Sequence, residues 1–220
     1  MEETEKPTRR PIAARETRWA AAIARVLADG GLRPNTISVL SVVFAAAAAA
    51  CLFGAGKLEG TARVLCWLGA AAGIQLRLLA NLFDGMVAVE GGFRTKSGEI
   101  FNELPDRISD ALILSAAGYA VPGIAWVHDL GWVAATLAVI TAYVRTLGAA
   151  CGTAQYFMGP MAKQQRMFLL TAACVGNAIL LPLGVWRVDL IPWALGIVVI
   201  GCVVTVGRRA ARILRELEAK

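Results

Sequence analysis

The strongest constraint on this chain is a series of long apolar runs, each long enough to cross a lipid bilayer. A helix needs about 20 consecutive apolar residues to span the hydrocarbon core, and hydropathy marks six such runs. They lie at about 36–54, 62–83, 104–125, 130–151, 167–185 and 189–207. Because 57% of the 220 residues are hydrophobic and only 17% are charged, a water-soluble domain is disfavoured. The sequence therefore predicts an all-α, polytopic membrane protein with six transmembrane helices.

A shorter amphipathic segment precedes the first of these runs. Apolar side chains recur every three or four residues from 17 to 29, and two arginines share a flanking face. The apolar members are Trp19, Ala22, Ile23 and Val26, and the arginines are Arg18 and Arg25. The pattern predicts a helix that lies in the membrane interface and is ended by Gly30 and Gly31. Residues 1–15 contain both charged residues and prolines. This composition predicts an arm that has no fixed structure until it contacts lipid headgroups.

The chain is predicted to form one membrane domain with short extensions. No internal repeat of roughly 20 to 50 residues and no low-complexity linker interrupts the apolar runs. The predicted division is a cytoplasmic arm and interfacial helix at 1–31, the six-span domain at 32–207 and a basic cytoplasmic tail at 208–220.

Basic residues are concentrated on one side of the predicted spans. They occupy the arm, the connections at 85–107 and 152–166, and the tail. Outside the arm they are Arg94, Lys96, Arg107, Lys163, Arg166, Arg208, Arg209, Arg212 and Arg215. The other side carries little beyond Lys57, Arg63 and Arg187. By the positive-inside rule, both termini face the cytoplasm and the protein lies in the inner cell membrane.

The overall charge and composition exclude several other classes of protein. The net charge of +6 suits attraction to anionic lipid headgroups. Nucleic-acid binding is disfavoured, because the basic residues flank apolar spans and no binding motif accompanies them. The five cysteines stand singly within apolar runs, which disfavours a disulfide framework or a zinc site. The lone histidine, His128, excludes a multi-histidine metal site.

One polar segment, residues 77–110, joins two of the apolar runs and carries regularly spaced acidic and amide side chains. Two sets of residues within it recur at helical intervals of three or four. The first set is Arg77, Asn81, Asp84 and Ala88, and the second is Gly98, Asn102, Asp106 and Asp110. Two helices that present facing stripes of carboxylates and amides predict an oxygen-lined site at the cytoplasmic face.

The spacing in this segment resembles the signature of the CDP-alcohol phosphotransferases, which are integral membrane enzymes. That signature reads Asp, two residues, Asp-Gly, two residues, Ala-Arg, eight residues, Gly, three residues, Asp, three residues, Asp. The spacing is kept here, and the matching identities are Asp84, Gly85, Ala88, Gly98 and Asp106. The departures are Asn81, Val89 and Asn102. Together with a Pro-Asn-x-x-Ser leader at 34–38, the resemblance covers residues 32–207.

The resemblance implies an enzyme of phospholipid biosynthesis. Such an enzyme transfers a phosphatidyl-type group from a CDP-linked lipid to a polar alcohol and releases CMP. The family also implies a homodimer.

The same resemblance implies a role for each signature position. The metal ligands, around one or two Mg²⁺ or Mn²⁺ ions, would be Asn81, Asp84, Asn102 and Asp106. Asp106 would also act as the general base. The donor's cytidine would lie against Gly85, Ala88 and Gly98, where larger side chains would fill the volume.

Two of the departures change the charge of the implied metal site. Four aspartates would offset two divalent ions, whereas Asn81 and Asn102 offer only neutral carbonyl oxygens. We therefore expect weaker metal binding or a single ion. Two hypotheses follow: Asp110 restores one carboxylate by leaning back a turn, and Arg77 replaces part of the missing cation by facing the diphosphate. For Arg77, snorkelling or pairing with a carboxylate is an equal alternative.

Three basic residues further along resemble the positions at which family members that use phosphorylated acceptors place cations. They are Arg145, Lys163 and Arg166. A guanidinium and an ammonium that converge on a cytoplasmic pocket would bind the phosphate of an acceptor. The alternative is that these are ordinary cytoplasmic flanking residues.

Pro105 leaves the second stripe open to two interpretations. Proline has no N–H to donate and is well suited to the first turn of a helix. If the third span starts at Pro105, the stripe from Gly98 to Asp106 is broken and Asn102 is a helix cap. Otherwise the stripe is continuous.

The sequence is also compatible with functions other than catalysis. One alternative is a family member that has lost catalysis and acts as a scaffold, binding a CDP-lipid or a pathway partner. The two Asp-to-Asn changes and the missing arginine favour this alternative. The retained Asp84, Asp106 and spacing favour the enzyme. A purely structural interpretation makes the aspartates capping or interfacial residues near helix ends. A transporter is disfavoured, because the polar residues cluster at one membrane face rather than along a midplane path.

Overall fold

The computed structural model describes residues 17–91, 98–184 and 189–219, and within these ranges the chain is a bundle of helices. In chain order they are α1 (Arg18–Asp29), α2 (Pro34–Lys57), α3 (Gly60–Glu90), α4 (Gly98–Gly118), α5 (Ala125–Ala150), α6 (Lys163–Leu180) and α7 (Ile191–Glu218). These ranges contain no β-strand, which confirms the prediction of an all-α protein. The predicted arm at 1–15 and the basic residues Arg94, Lys96 and Arg187 lie outside the described residues.

Within the described ranges, four helices are long and apolar enough to cross a membrane. They are α2, α3, α5 and α7, whose most apolar windows have mean hydropathies of 2.3, 1.3, 1.5 and 1.9. The other two predicted spans contain α4 and α6, in which charged and amide side chains interrupt the apolar pattern at the N-terminal end. The four apolar helices give the chain the composition and length expected of a membrane protein.

Two helices extend well past their predicted ends. Hydropathy places the ends near 83 and 207, whereas α3 continues to Glu90 and α7 to Glu218. The extension of α7 is rich in charged residues, and that of α3 starts at Asp84 and ends at Glu90, so the hydropathy estimate ends both spans early although the helical backbone continues. Arg209 in the extension of α7 is buried and donates hydrogen bonds to the carbonyls of Met158, at 2.9 Å, and Thr141, at 2.5 Å. The last helix is therefore bonded both to α5 and to the connection that precedes α6.

Small residues allow close approach of neighbouring helices, as their abundance in the apolar runs predicts. A Cβ atom added to Gly73 of α3 would lie 2.9 Å from Cβ of Ala48 in α2. Between α4 and α5, a Cβ atom on Gly131 would lie 2.9 Å from Cα of Gly118. At these points the helices meet backbone to backbone, which fixes how α3 and α4 are placed for the polar segment that they carry.

Candidate active site

Buried charged side chains gather at one end of the bundle, where the C-terminal half of α3 meets the N-terminal halves of α4 and α6. Members of this cluster with less than 9% of their surface exposed are Arg77, Asp84, Asp106, Asp110 and Arg166. Charged side chains are almost never buried unless they are paired, and within a membrane they usually mark function. The cluster coincides with the two stripes predicted from the sequence.

Helix α4 runs without a break through the second stripe. It begins at Gly98 and contains Pro105 as an interior residue. The interpretation in which the helix starts at Pro105 and Asn102 caps it is therefore wrong. An interior proline removes the hydrogen bond to the carbonyl one turn earlier and crowds that carbonyl, but α4 packs against both α2 and α5 and stays continuous. Asp106 and Asp110 consequently project from one rigid element.

Arg77 is fully buried and binds carboxylates of the facing stripe. Its Nη2 donates to Oδ1 of Asp110 at 2.7 Å and to Oδ1 of Asp106 at 3.2 Å. It also donates to the backbone carbonyl of Asp106 at 3.3 Å. Of the roles left open for Arg77, pairing with carboxylates is the one this geometry shows. To face a diphosphate directly, Arg77 would have to leave a position with 0% exposure.

Asp110 has both carboxylate oxygens engaged. Oδ1 accepts from Arg77, and Oδ2 accepts from Nη2 of Arg166 at 2.6 Å. Arg166 also donates to the carbonyl of Met161 at 3.0 Å and is itself only 2% exposed. The hypothesis that Asp110 supplies a missing metal-ligand oxygen does not fit this arrangement, because two guanidinium groups already occupy it.

Asp84 projects from α3 toward the N-terminal end of α2. The hydroxyl of Ser38 donates to its Oδ2 at 2.8 Å, whereas its buried Oδ1 has no hydrogen-bond partner among the described residues. The Asp84 carboxylate also interacts electrostatically with Asp106 and Lys163. The two retained signature aspartates therefore lie near each other. Ser38 was not assigned to the site from the sequence, although it is the serine of the Pro-Asn-x-x-Ser leader.

Lys163 reaches from the first residue of α6 to both stripes. Its ammonium donates to the amide oxygen of Asn81 and to Oδ2 of Asp106, the latter at 2.5 Å. The Asn81 nitrogen, Nδ2, is buried and has no partner in the part of the chain that the structure describes. The resemblance implies acceptor binding for Lys163, but the structure has it bridging two positions that the same resemblance gives to metal ligands.

Arg145 lies beside the cluster and is held by Glu103, an acidic residue that the sequence analysis did not single out. Its Nη2 lies 2.7 and 2.6 Å from the two carboxylate oxygens of Glu103. Its guanidinium carbon lies 4.9 Å from the ring centre of Phe157. Arg107, one turn along α4, also binds Glu103. The three cations predicted to converge on an acceptor thus pair with three different carboxylates, those of Glu103, Asp106 and Asp110.

The remaining predicted site residues lie on the same stretches of α3 and α4 as the carboxylates. Asn102 is exposed and lies one helical turn before Asp106, whereas Gly85, Ala88 and Gly98 are half-buried. Their small size keeps these parts of α3 and α4 free of bulky side chains. Binding of the donor's cytidine against them stays a prediction.

The oxygen atoms of the cluster suit one hard divalent cation. The described residues contain no group of three or more His, Cys, Asp or Glu side chains arranged around a metal position. Asp84 supplies a buried carboxylate oxygen, Oδ1, that has no partner among the described residues and that a cation would satisfy. Asp106 is the nearest second carboxylate of the signature, but its two oxygens are bonded to Arg77 and Lys163. Mg²⁺ is typically bound through one or two carboxylates, with water and substrate phosphate completing its shell. This donor set fits a single ion.

No protein-family profile matches the chain. Its sequence is 32% identical over 96 residues to the phosphatidylinositol phosphate synthases of Mycobacterium bovis (BCG) and Mycobacterium tuberculosis. The match covers 44% of this chain and 40% of each relative. The chain therefore spans well under half the length of the curated relatives that it matches.

Solved structures of the Mycobacterium tuberculosis phosphatidylinositol phosphate synthase share the whole fold. The structure with CDP-DAG bound has a TM-score of 0.72 at 19% identity, covering 90% of this chain and 94% of that one. The structure in complex with manganese and citrate has a TM-score of 0.71, covering 89% and 88%. The fold is thereby established. The resemblance to the CDP-alcohol phosphotransferases is confirmed, because the synthase is a member of that family.

Proposed function

We propose, from the fold that this chain shares with the phosphatidylinositol phosphate synthases, that it is a divalent-metal-dependent CDP-alcohol phosphotransferase of phospholipid biosynthesis. It transfers a phosphatidyl-type group from a CDP-linked lipid to a polar, phosphorylated alcohol and releases CMP. The observation that carries the proposal is that the two stripes of the family signature meet: Lys163 bonds to Asn81 of α3 and to Asp106 of α4, and Asp84 and Asp106 retain the family spacing.

In the proposed reaction, Asp106 is the general base. As the hydroxyl oxygen of the acceptor attacks the phosphorus that carries the lipid, its proton passes to Asp106. The bond from that phosphorus to the bridging oxygen breaks, and CMP leaves with the electron pair. Oδ1 binds the fully buried Arg77 and Oδ2 binds the ammonium of Lys163, so Oδ2 would take the proton as that ammonium turns toward the donor diphosphate. Arg77 is thus a positioning residue that fixes the orientation of the base.

The metal would be held first by Asp84, with Asp106 and the amide oxygens of Asn81 and Asn102 as weaker ligands. A bound Mg²⁺ or Mn²⁺ supplies neutralisation of the charge that builds on the leaving phosphate. Ser38 orients Asp84 through the hydrogen bond to Oδ2 and leaves Oδ1 for the ion. The donor is proposed to be CDP-diacylglycerol, since CDP-DAG is bound in a structural relative.

All six long helices are proposed to span the inner cell membrane, with both termini and the site on the cytoplasmic side. The polar ends of α4 and α6 lie together at the site, which explains why these helices are less apolar than the other four. The helix α1 is proposed to lie in the interface. Ala20 and Ala24 face the bundle, whereas Trp19, Ile23 and Val26 are exposed, as expected for a helix whose outer side meets lipid. A homodimer is proposed on the family resemblance alone.

The proposed function is tested by CMP release from CDP-diacylglycerol in nanodiscs, with Mg²⁺ or Mn²⁺ and a panel of free and phosphorylated polyols. We expect release that needs both the metal and a phosphorylated acceptor. Binding of the CDP-lipid without CMP release for any acceptor would contradict the proposal and favour the non-catalytic scaffold.

Replacing Arg145 with Ala should raise the KM for the phosphorylated acceptor at least tenfold and change the KM for the CDP-lipid little. The reason is that a bidentate guanidinium contact to a phosphate contributes about 1.5–3 kcal/mol. Steady-state kinetics with each substrate varied in turn measure the two effects. The matched control is Arg107→Ala, which removes the other arginine on Glu103. Equal effects on donor and acceptor, or equal effects of the two variants, would remove Arg145 from the acceptor site.

A further inference from the structure

The Lys163 ammonium lies between an amide oxygen on α3 and a carboxylate oxygen on α4. Both oxygens belong to positions at which the family signature carries metal-ligating aspartates, now Asn81 and Asp106. The lysine is contributed by α6, so a third helix delivers one positive charge to the place where two others present cation ligands. A side-chain cation therefore occupies a position suited to a metal ion.

The replacement of Asp by Asn at position 81 matches this arrangement. A divalent ion between two side chains is best balanced by two carboxylates, whereas an ammonium carries one charge and three N–H donors. One carboxylate and one neutral carbonyl are sufficient partners for it. With an aspartate at 81, the ammonium would leave one negative charge unbalanced in a buried place, which is costly.

The charges of the whole cluster also balance without a metal ion. Its carboxylates are Asp84, Asp106 and Asp110, and its cations are Arg77, Lys163 and Arg166. With a single divalent ion bound, the net charge of the cluster would be two positive charges, which suits the diphosphate of a CDP-linked donor. A second divalent ion would raise the net charge to four positive charges. It would also lack a free ligand, because the only carboxylate oxygen among these residues without a hydrogen-bond partner is Oδ1 of Asp84.

We propose that Lys163 is a built-in cation that takes the place of a second divalent ion, so that the site binds one metal ion, at Asp84. In the reaction the ammonium would neutralise charge on the donor diphosphate from the Asn81 side, where the buried Asn81 nitrogen also lacks a partner among the residues that the structure describes. This inference rests on the proposed function, because it assigns the counter-charge to a diphosphate substrate.

The test counts Mn²⁺ ions bound per chain by electron paramagnetic resonance, on the full-length protein in nanodiscs with CDP-diacylglycerol. The wild type should bind one ion. Lys163→Met should bind one ion more tightly by on the order of tenfold, because a neighbouring positive charge is removed. The double variant Asn81→Asp/Lys163→Met, which restores a carboxylate and vacates the position, should bind two.

Two further variants separate charge from structure. Lys163→Arg keeps the cation and should bind one ion with an affinity within about threefold of the wild type. Lys57→Met removes a lysine from the exposed far end of α2 and should leave Mn²⁺ binding unchanged. Thermal unfolding of each variant shows that it is folded.

Each outcome bears on a specific claim. Two ions in the wild type, or an Mn²⁺ affinity that Lys163→Met changes no more than Lys57→Met, would overturn the built-in cation, even if CMP is released. If the wild type binds one ion and the double variant binds two, but no CMP is released, the proposed function is wrong. The replacement of the second ion by Lys163 would still be supported. Absence of any Mn²⁺ binding would overturn both.

Discussion

Replacing Asp106 with Asn should lower the rate of CMP release by about 10²–10⁴-fold, the usual contribution of a general base. Asparagine keeps the size of the side chain and an oxygen that can accept from Arg77, but it cannot take the proton of the acceptor hydroxyl. The variant should therefore fold and bind the CDP-lipid while turnover is lost. CMP release under saturating donor and acceptor measures the effect.

The control for this variant is Asp129→Asn. Asp129 is exposed near the start of α5, at the end of the bundle away from the cluster. Its replacement should leave CMP release unchanged. If Asp106→Asn kept a third or more of the wild-type rate, Asp106 could not be the base, and the neighbouring Asp84 and Asp106 would lose their assigned chemistry.

Replacing Asp110 with Leu should cost about 3–5 kcal/mol of stability, the usual effect of removing one partner from a buried ion pair. Asp110 is fully buried, and each of its oxygens accepts from a different arginine, Arg77 and Arg166. Its loss leaves the guanidinium of Arg166 without its carboxylate inside the bundle. Thermal unfolding in detergent, or the fraction of folded protein recovered, measures the change.

A second substitution distinguishes a stranded charge from lost packing. In Asp110→Leu/Arg166→Leu the unpaired guanidinium is removed as well, and Arg77 keeps its bond to Asp106. We expect this double variant to be more stable than Asp110→Leu alone, since apolar replacement of a whole buried pair is often neutral. A double variant that is less stable than either single variant would argue that the pair contributes through packing and shape instead. Asp129→Leu, at an exposed position, gives the baseline.

The parts of the site that lie on one helix follow from the sequence because helical periodicity is local. Spacings of three and four residues place Arg77 and Asp84 near one another on α3, and Asp106 and Asp110 on one side of α4. The structure agrees with that placement, since Arg77 contacts both residues of the facing stripe. The apolar runs likewise locate the helices, because burial in lipid demands a run of a certain length whatever its neighbours are.

The contacts between distant helices do not follow from any local pattern. Lys163 bonds to Asn81, 82 residues earlier, and Arg145 bonds to Glu103, 42 residues earlier. A basic residue at the cytoplasmic end of a span has the same local signature whether it faces lipid headgroups, a substrate or a carboxylate. The acceptor role inferred for Lys163 and Arg166 could therefore not be distinguished from pairing until the packing of α6 against α3 was known.

The distance along the chain between the charges of the cluster bears on how the protein is made. Asp106 and Asp110 are synthesised 57 and 56 residues before their partners Lys163 and Arg166. Because chains are made from the N-terminus, α3 and α4 are complete when, of the partners described for these two acids, only Arg77 has been made. Until α6 is made, Asp106 and Asp110 lack the positive charges of Lys163 and Arg166. Assembly of the charged cluster in the bilayer therefore depends on the insertion of α6.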